Sequence, residues 1–307
     1  MTKKLISLLL VLVLAFSLVA CSKDEEKPAE TATETKTEEK TEEQAPETSN
    51  EPITVISRED GSGTRGAFIE ITGIEEKDGD TKVDRTTVDA VVQKSTNAVL
   101  MTVNGDKNAI GYISLGSLND SVKAVKVEGV EASAENVLDG SYKIARPFNI
   151  VYKGEIDGLK KDFIDFMMSK EGQEMVLENK YVQVDTAAAE YKQNSQSGKL
   201  VVGGSTSVTP LMEKFAEKYM EMYPDVKIEI QSTGSSAGIQ AAIEGAADLG
   251  MASRDLSDEE KAELTNVVIA KDGIAVIVNN DNAIDDLSLD QIKAIFVGET
   301  KTWGDIK

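Results

Sequence analysis

Residues 57–65, with the sequence SREDGSGTR, combine an arginine, two glycines and two hydroxyls at the point where a strand gives way to a helix. Gly61 and Gly63 permit a tight turn whose backbone comes close to a ligand. Ser62 and Thr64 lie where the next helix would begin, and free N–H groups and the positive end of a helix dipole attract anions there. Arg58 adds a planar set of donors that suits tetrahedral oxyanions. The pattern indicates half of an oxyanion site, although a capped helix with a surface arginine would look the same.

Three later segments repeat this chemistry, and two of them precede a predicted helix. Residues 203–209 read GGSTSVT, residues 234–238 read GSSAG, and residues 247–253 read ADLGMAS, which adds Asp248 beside small residues at a strand. Each could be only a helix cap or turn. Together with the first turn, and without a histidine anywhere in the chain, they favour a binding site over a catalytic one. The absence of histidine excludes a Ser-His-Asp triad, an imidazole base and a histidine-ligated zinc. We expect no catalytic residue, no metal and no cofactor.

The elements that must hold these turns follow an alternating α/β order. Strands are predicted at residues 53–57, 108–116, 146–152, 200–204, 226–230 and 274–279, and helices at 65–71, 87–103, 159–168, 173–177, 210–222, 239–244 and 289–296, from apolar periodicity and helix-start signals. Pro210 suits a first helical turn, and Ser288 with Gln291 resembles a capping box.

The first 51 residues are expected to form a targeting signal and a spacer and not part of the folded domain. Residues 1–20 have two lysines followed by an apolar run, as in a signal peptide, and LVAC at residues 18–21 resembles the lipobox of bacterial lipoproteins. Cleavage would leave Cys21 as a lipidated N-terminus. Because Cys21 is the only cysteine, an internal disulfide is excluded. Residues 21–51 are predicted to be a disordered acidic tether, with eleven acidic residues against four lysines after Cys21. The formal net charge of −21 argues against nucleic acid or an anionic membrane surface as partner.

Six motifs together resemble the phosphate-binding lipoprotein of bacterial ABC-type phosphate transporters. They are ITVISREDGSGTRGAF (53–68), NAIGYISLG (108–116), GGSTSVTP (203–210), QSTGSSAG (231–238), ADLGMASR (247–254) and IKAIFVGETKTWGDI (292–306). The family runs from GGSTSVTP through TWGDI into ITVISREDGSGTR, whereas here that order is reversed. The chain therefore looks like a circular permutant. The resemblance implies an α/β, two-lobed fold of the type II periplasmic-binding-protein kind, with the ligand in the cleft between lobes.

The resemblance also implies boundaries and roles. One lobe would be discontinuous, residues 52–145 plus 279–307, and the other continuous, residues 146–278, with Trp303 near the start of the segment at Pro52. Asp248 would accept the proton that phosphate carries and sulfate lacks, and Asp60 would orient Arg58. The implied phosphate-binding residues are Arg58, Ser62, Gly63, Thr64, Ser207, Val208, Ser235 and Asp248.

The expected function is capture of inorganic phosphate outside the cytoplasm, with closure of the cleft and delivery to a membrane permease. The protein would be a monomer, held at the outer face of the membrane by lipid on Cys21. Three alternatives stay open: a phosphate sensor or adhesin with the same fold, a binding protein for another oxyanion, and an enzyme acting on phosphate esters, for which Ser62 or Ser207 would lack a histidine base.

Overall fold

The computed structural model describes residues 50–79 and 81–306. The predicted signal peptide, Cys21 and nearly all of the predicted tether lie outside the described residues. Within them, no helix has the length and apolar character needed to cross a membrane. The strands are β1 (Thr54–Arg58), β2 (Glu75–Asp78), β3 (Thr81–Asp84), β4 (Val91–Gln93), β5 (Ala109–Ser114), β6 (Lys123–Ala124), β7 (Lys126–Val127), β8 (Ala145–Tyr152), β9 (Gly198–Gly204), β10 (Val226–Ser232), β11 (Leu249–Ala252), β12 (Thr265–Val278) and β13 (Asp286–Leu287). The helices are α1 (Gly63–Ile71), α2 (Thr96–Gly105), α3 (Ala134–Leu138), α4 (Gly158–Met168), α5 (Lys170–Glu178), α6 (Thr209–Met222), α7 (Ser235–Glu244), α8 (Asp258–Glu263) and α9 (Leu289–Phe296).

One mixed sheet connects most of these strands, in the order β10-β9-β11-β8-β12-β5-β1-β4, with β6 also paired to β12. At one end, β9 runs parallel to both β10 and β11. At the other end, β1 runs parallel to both β4 and β5. In each parallel group the loops that follow the strands emerge at a common edge, so residues distant in sequence are gathered there.

The long strand β12 belongs to both ends of the sheet. Its residues from Thr265 to Gly273 pair antiparallel with β8, and its residues from Ile274 to Val278 pair antiparallel with β5. Because residues 274–278 are all apolar and buried, this part of the strand can be enclosed by helices on both faces. This strand therefore joins the two parallel groups through a continuous backbone.

The hydrophobic core divides along the same line. One cluster draws on residues between 148 and 270, including Phe163 of α4 and Phe215 of α6. Two further clusters draw mainly on residues 55–144 together with 274–303, including Phe68 of α1 and Phe296 of α9. Val182 is the exception, because it packs with the second group. The α/β, two-lobed architecture expected from the sequence is confirmed.

The two ends of the described chain meet. The Ile53 N–H donates to the Lys301 carbonyl at 2.8 Å, and the Trp303 N–H donates to the Glu51 carbonyl at 3.2 Å. The Trp303 indole N–H also donates to the Asn108 carbonyl at 3.2 Å. The predicted proximity of Trp303 to the segment that starts at Pro52 is therefore confirmed.

The helix predicted over residues 87–103 is wrong in its first half. Val91–Gln93 form strand β4, which pairs parallel with β1, and α2 starts only at Thr96. Ser95 stops the helix from starting earlier, because its side chain accepts a hydrogen bond from the Ala98 N–H as an N-cap. The capping box of Ser288 and Gln291 at the start of α9 is confirmed.

Candidate functional site

The turn between β1 and α1 brings a glycine backbone against the opposite half of the molecule. Gly61 has φ +82°, which favours glycine, and its carbonyl accepts a hydrogen bond from the Ser236 N–H at 3.1 Å. A Cβ on Gly63 would lie 2.4 Å from Ser235 Oγ and 2.7 Å from Ser253 Oγ. Ser62 is the N-cap of α1 and its Oγ accepts from the Arg65 N–H at 3.4 Å. The glycines therefore serve close contact between segments far apart in sequence.

Arg58 is held rigidly at the end of β1, with only 2% of its surface exposed. Its Nε and Nη2 donate to the two carboxylate oxygens of Glu59, each at 2.8 Å, and Nε also donates to the Gln93 carbonyl at 3.2 Å. Across the interface, Nη2 donates to Thr206 Oγ1 at 3.0 Å. Two parallel N–H donors to one carboxylate fix the plane of the guanidinium as well as its position.

The prediction that Asp60 orients Arg58 is wrong in this structure. Asp60 is 97% exposed and its carboxylate pairs with Arg65 Nη1 at 3.0 Å. Glu59 takes the predicted role, because its longer side chain folds back along the neighbouring guanidinium while Asp60 lies in the turn and faces solvent.

The turn between β9 and α6 is organised by Ser205. Its Oγ accepts from the Ser207 N–H at 3.2 Å and from the Val208 N–H at 3.4 Å. The Val208 N–H also donates to the Ser205 carbonyl at 3.2 Å, and its side chain is buried in the core. Val208, predicted as a backbone donor to the ligand, thus has its N–H used inside the turn. Ser207 Oγ instead lies 2.8 Å from Thr64 Oγ1, which joins two of the predicted residues.

Ser235 and Ser253 form the third side of the cluster. Ser235 is the first residue of α7, and its Oγ accepts from the Ser253 N–H at 3.1 Å. Ser253 Oγ lies 3.4 Å from Ser235 Oγ and accepts from Ser205 Oγ at 2.8 Å. All three hydroxyls are buried. We refer to Thr64, Thr96, Ser205, Thr206, Ser207, Ser235 and Ser253 as the hydroxyl cluster.

Asp248, the predicted acceptor, lies away from this cluster. Its Oδ2 accepts from the Val201 N–H at 2.8 Å, and the next residue, Leu249, is paired with Val202. The turn that carries Ser205 starts only after Gly204, about three residues or roughly 10 Å further along the strand direction. The prediction is wrong because β9 and β11 are parallel: Asp248 precedes its strand, whereas the hydroxyl turns follow theirs.

Sequence reasoning missed Ser253 and Thr96. Ser253 follows β11 directly, at the edge where ligands collect in parallel sheets, and this signal was available in the ADLGMASR motif. Thr96 was hidden because the predicted helix ran through it. It is the first residue of α2, and its Oγ1 lies 3.4 Å from both Thr206 Oγ1 and Ser207 Oγ.

A buried ion pair lies directly behind Ser253. Arg146 Nη1 donates to the Ser253 carbonyl at 3.1 Å and to Ser253 Oγ at 3.3 Å. Arg146 Nη2 lies 3.0 Å from Asp272 Oδ2, and the two side chains are 1% and 0% exposed. Ser114 Oγ donates to Asp272 Oδ1 at 3.0 Å. Burial raises the pKa of Asp272 to about 6, although Arg146 favours its ionised form. Burial also lowers the pKa of Arg146.

The arrangement suits a small tetrahedral oxyanion. Removing an anion from water is costly unless donors replace its hydration shell. Here two arginines, each neutralised by a carboxylate, accompany a set of hydroxyls and the N-termini of α1, α6 and α7. Among residues 50–79 and 81–306, no group of three or more His, Cys, Asp or Glu side chains could hold a metal ion.

Comparisons of the sequence and of the structure with known proteins agree on one family. A family model described as a PBP superfamily domain matches residues 32–171 and 189–306. The phosphate-binding protein PstS 2 of Streptococcus pneumoniae is 49% identical over 305 residues, which cover 99% of both chains. A crystal structure of a phosphate-binding protein of a phosphate ABC transporter from S. pneumoniae TIGR4 is 54% identical, with a TM-score of 0.69 over 84% of this chain and 100% of that one. The PstS of Bacillus subtilis is 36% identical over 131 residues, 42% of this chain and 40% of that protein.

Proposed function

This chain belongs to the PBP superfamily, in one family with its PstS-type relatives, and we propose that it captures inorganic phosphate outside the cytoplasm and delivers it to the permease of an ABC transporter. The family consists of substrate-binding proteins, so the chain is not an enzyme. This excludes the alternative in which Ser62 or Ser207 attacks a phosphate ester.

The hydroxyl cluster with Arg58 is the observation that supports phosphate as ligand. Arg58 is buried and has its plane fixed by Glu59, and it reaches Thr206 across the interface. Around it, hydroxyls and helix N-termini supply donors from several directions without adding net charge. A phosphate in this position would displace hydrogen bonds that hydroxyls now make with one another. In this proposal Ser62 and Gly63 act through the turn and the helix start, and Thr64, Ser207 and Ser235 contact the ligand.

We assign the two lobes of the protein from its hydrophobic core clusters. One lobe comprises residues from 52 to about 145 together with the C-terminal part of the chain, and the other comprises residues from about 146 to a second boundary inside β12. We set this second boundary between Gly273 and Ile274 and not between residues 278 and 279, where the sequence analysis placed it, because residues 274–278 pack with the first lobe. Phosphate then binds between two lobes that are linked by the backbone at Ala145 and at Gly273.

We also propose that the chain is a circular permutant, in which the segment from GGSTSVTP to TWGDI follows ITVISREDGSGTR instead of preceding it. The contact of Trp303 with Glu51 supports this, because a chain in the other order could pass directly from the segment of Trp303 to the segment of Ile53. The match to the B. subtilis protein over only 42% of this chain is what a permuted order would produce, since a linear alignment follows one half at a time. The S. pneumoniae relative aligns from end to end and shares the present order.

Binding requires the lobes to separate and close again. Ser207, Ser235 and Ser253 are fully buried, so a ligand reaches them only when the two halves move apart. Closure then remakes contacts such as Thr64–Ser207 around the ligand, as in hinge motions of periplasmic binding proteins. The closed form is the one that we expect to dock on the permease.

We propose that lipid on Cys21 anchors the protein at the outer face of the cell membrane, and that residues 21–51 form the tether that lets a monomer reach its permease. Replacing Cys21 with alanine should release the protein from the membrane fraction into the medium. A sensor or adhesin with the same fold stays an alternative, which loss of phosphate uptake on deletion of the gene would exclude.

Titration calorimetry of residues 21–307 with phosphate tests the central proposal. We expect one phosphate bound per chain. Failure of phosphate to bind a folded protein would overturn the proposed function. A phosphate ester that is hydrolysed by the purified protein would contradict its place among substrate-binding proteins.

A further inference from the structure

The hydroxyl of Ser253 has neighbours for both of its lone pairs and for its proton. Its Oγ accepts one hydrogen bond from Ser205 Oγ at 2.8 Å and another from Arg146 Nη1 at 3.3 Å. A serine hydroxyl has two acceptor lone pairs and one proton. Because both lone pairs are used, the proton of Ser253 points to a third partner. In this structure that partner is Ser235 Oγ at 3.4 Å, beside the turn at Gly63.

The orientation of Ser253 is enforced from behind. Arg146 is buried and paired with Asp272, so its guanidinium cannot turn away to donate to another neighbour. Arg146 also donates to the Ser253 carbonyl, which ties the backbone to the same group. Since arginine has no acceptor, the side of Ser253 that faces Arg146 can only receive donors. The other side faces the cluster as a donor.

The carboxylates that border the cluster are each bonded to an arginine. The pairs are Arg58–Glu59, Arg254–Glu260 and Arg146–Asp272. Arg254 borders the cluster through Ser236, and Asp248 is bonded to Val201. Within the described residues, the cluster is therefore lined by hydroxyls and by donors, with its carboxylates turned toward arginines.

This lining has a consequence for anion choice. A carboxylate accepts a proton from a ligand but repels an oxygen that lacks one, and sites of that kind reject an analogue by about 10⁴–10⁵. A hydroxyl rotates and serves either as donor or as acceptor, so it accommodates both kinds of oxygen. Hydroxyls such as those of Thr64 and Ser207 then provide little discrimination between hydrogen phosphate and sulfate.

We propose that Ser253 donates a hydrogen bond to the ligand and that, because a hydroxyl and not a carboxylate occupies this position, the site binds tetrahedral oxyanions with and without a proton, so that sulfate competes with phosphate. The inference rests on the proposed function, because it concerns the same ligand site. It reverses the selectivity that Asp248 was expected to provide.

Calorimetric titration of residues 21–307 with phosphate and with sulfate at neutral pH tests it. We expect the affinity for sulfate to be within about a hundredfold of that for phosphate, far from the range of sites that read a ligand proton. Phosphate binding with sulfate about 10⁴-fold weaker would overturn the inference and leave the proposed function intact. Failure of both anions to bind would overturn the proposed function, and the inference with it.

Substitutions separate the role of Ser253 from a structural one. Ser253→Asp places an acceptor where the donor was, and we expect the affinity for sulfate to fall by at least about a hundredfold relative to the affinity for phosphate. Ser253→Ala removes the donor, so both anions should weaken and their ratio should stay the same. Ser232→Asp adds the same charge at an exposed position at the end of β10 and should leave the ratio unchanged.

An unchanged ratio in a folded Ser253→Asp protein, judged by its circular dichroism spectrum, would contradict the role of Ser253. If that variant does not fold, the titration of the unmodified chain with sulfate still decides the inference.

Discussion

Thr64 Oγ1 lies 2.8 Å from Ser207 Oγ, although the two residues are 143 positions apart in the chain. Thr64 is in the first turn of α1 and Ser207 in the turn before α6, so the contact joins the two helix starts that the sequence indicated as anion sites. Both hydroxyls are buried. The proposed ligand site is therefore formed by tertiary contact between two local motifs.

Replacing Arg58 with lysine should weaken phosphate binding by about ten- to hundredfold. Lysine cannot keep the paired donors to Glu59 and at the same time reach Thr206. Arg85→Lys is the matched control, because Arg85 is half exposed and pairs with Glu76 on the surface. Calorimetry on both variants should show a loss only for Arg58→Lys, and equal affinities would argue against Arg58 as a ligand.

Glu59→Gln should weaken phosphate binding about tenfold, because it removes the charge-assisted bonds that fix the Arg58 guanidinium. Asp60→Asn and Asp248→Asn should leave the affinity unchanged, since the first is exposed and the second is bonded to Val201. Binding isotherms of the three variants measure this. A large loss of phosphate affinity in Asp248→Asn, together with an unchanged affinity in Glu59→Gln, would restore the role that the sequence suggested for Asp248.

Gly63→Ala should weaken phosphate binding by about ten- to hundredfold, because the added methyl group would lie 2.4 Å from Ser235 Oγ and hold the lobes apart. Gly105→Ala is the control, since a Cβ there meets no atom within 4 Å. Small-angle X-ray scattering with phosphate should show a more open Gly63→Ala protein. A variant that closes and binds like the unmodified chain would contradict the close approach at Gly63.

Asp272 should make folding stability depend on pH in an unusual direction. Its pKa is raised from 3.8 to about 6 in the folded protein, so the folded state binds more protons than the unfolded state between about pH 4 and 6. Its contribution to stability is therefore complete below pH 4 and is lost as the pH rises through 6, by at most about 3 kcal/mol.

Asp272→Asn removes this titration. Urea unfolding at pH 4.5 and pH 7 should show the unmodified chain losing stability relative to the variant as the pH rises. A relative gain over the same interval would mean that Arg146 outweighs burial and that the pKa of Asp272 is lowered instead.

Local signals determined most of the elements. Alternating apolar residues and helix caps predicted β1, β9, α6 and α9 within a few residues, because strand pleating and helix starts depend on neighbours in the chain. Strand β4 was missed because Val91 and Val92 pair with β1 through a contact that no local pattern encodes.

The sequence by itself determined which hydroxyl-rich turns the molecule has and that they precede helices, since capping and glycine geometry are local. Only the tertiary structure decided which of them meet, because the direction and order of the strands set which end of each strand lies at the common edge. Asp248 and Ser253 flank the same strand, yet only Ser253 lies at that edge. Likewise, Glu59 rather than Asp60 pairs with Arg58, because burial and side-chain reach separate two acids that are adjacent in sequence.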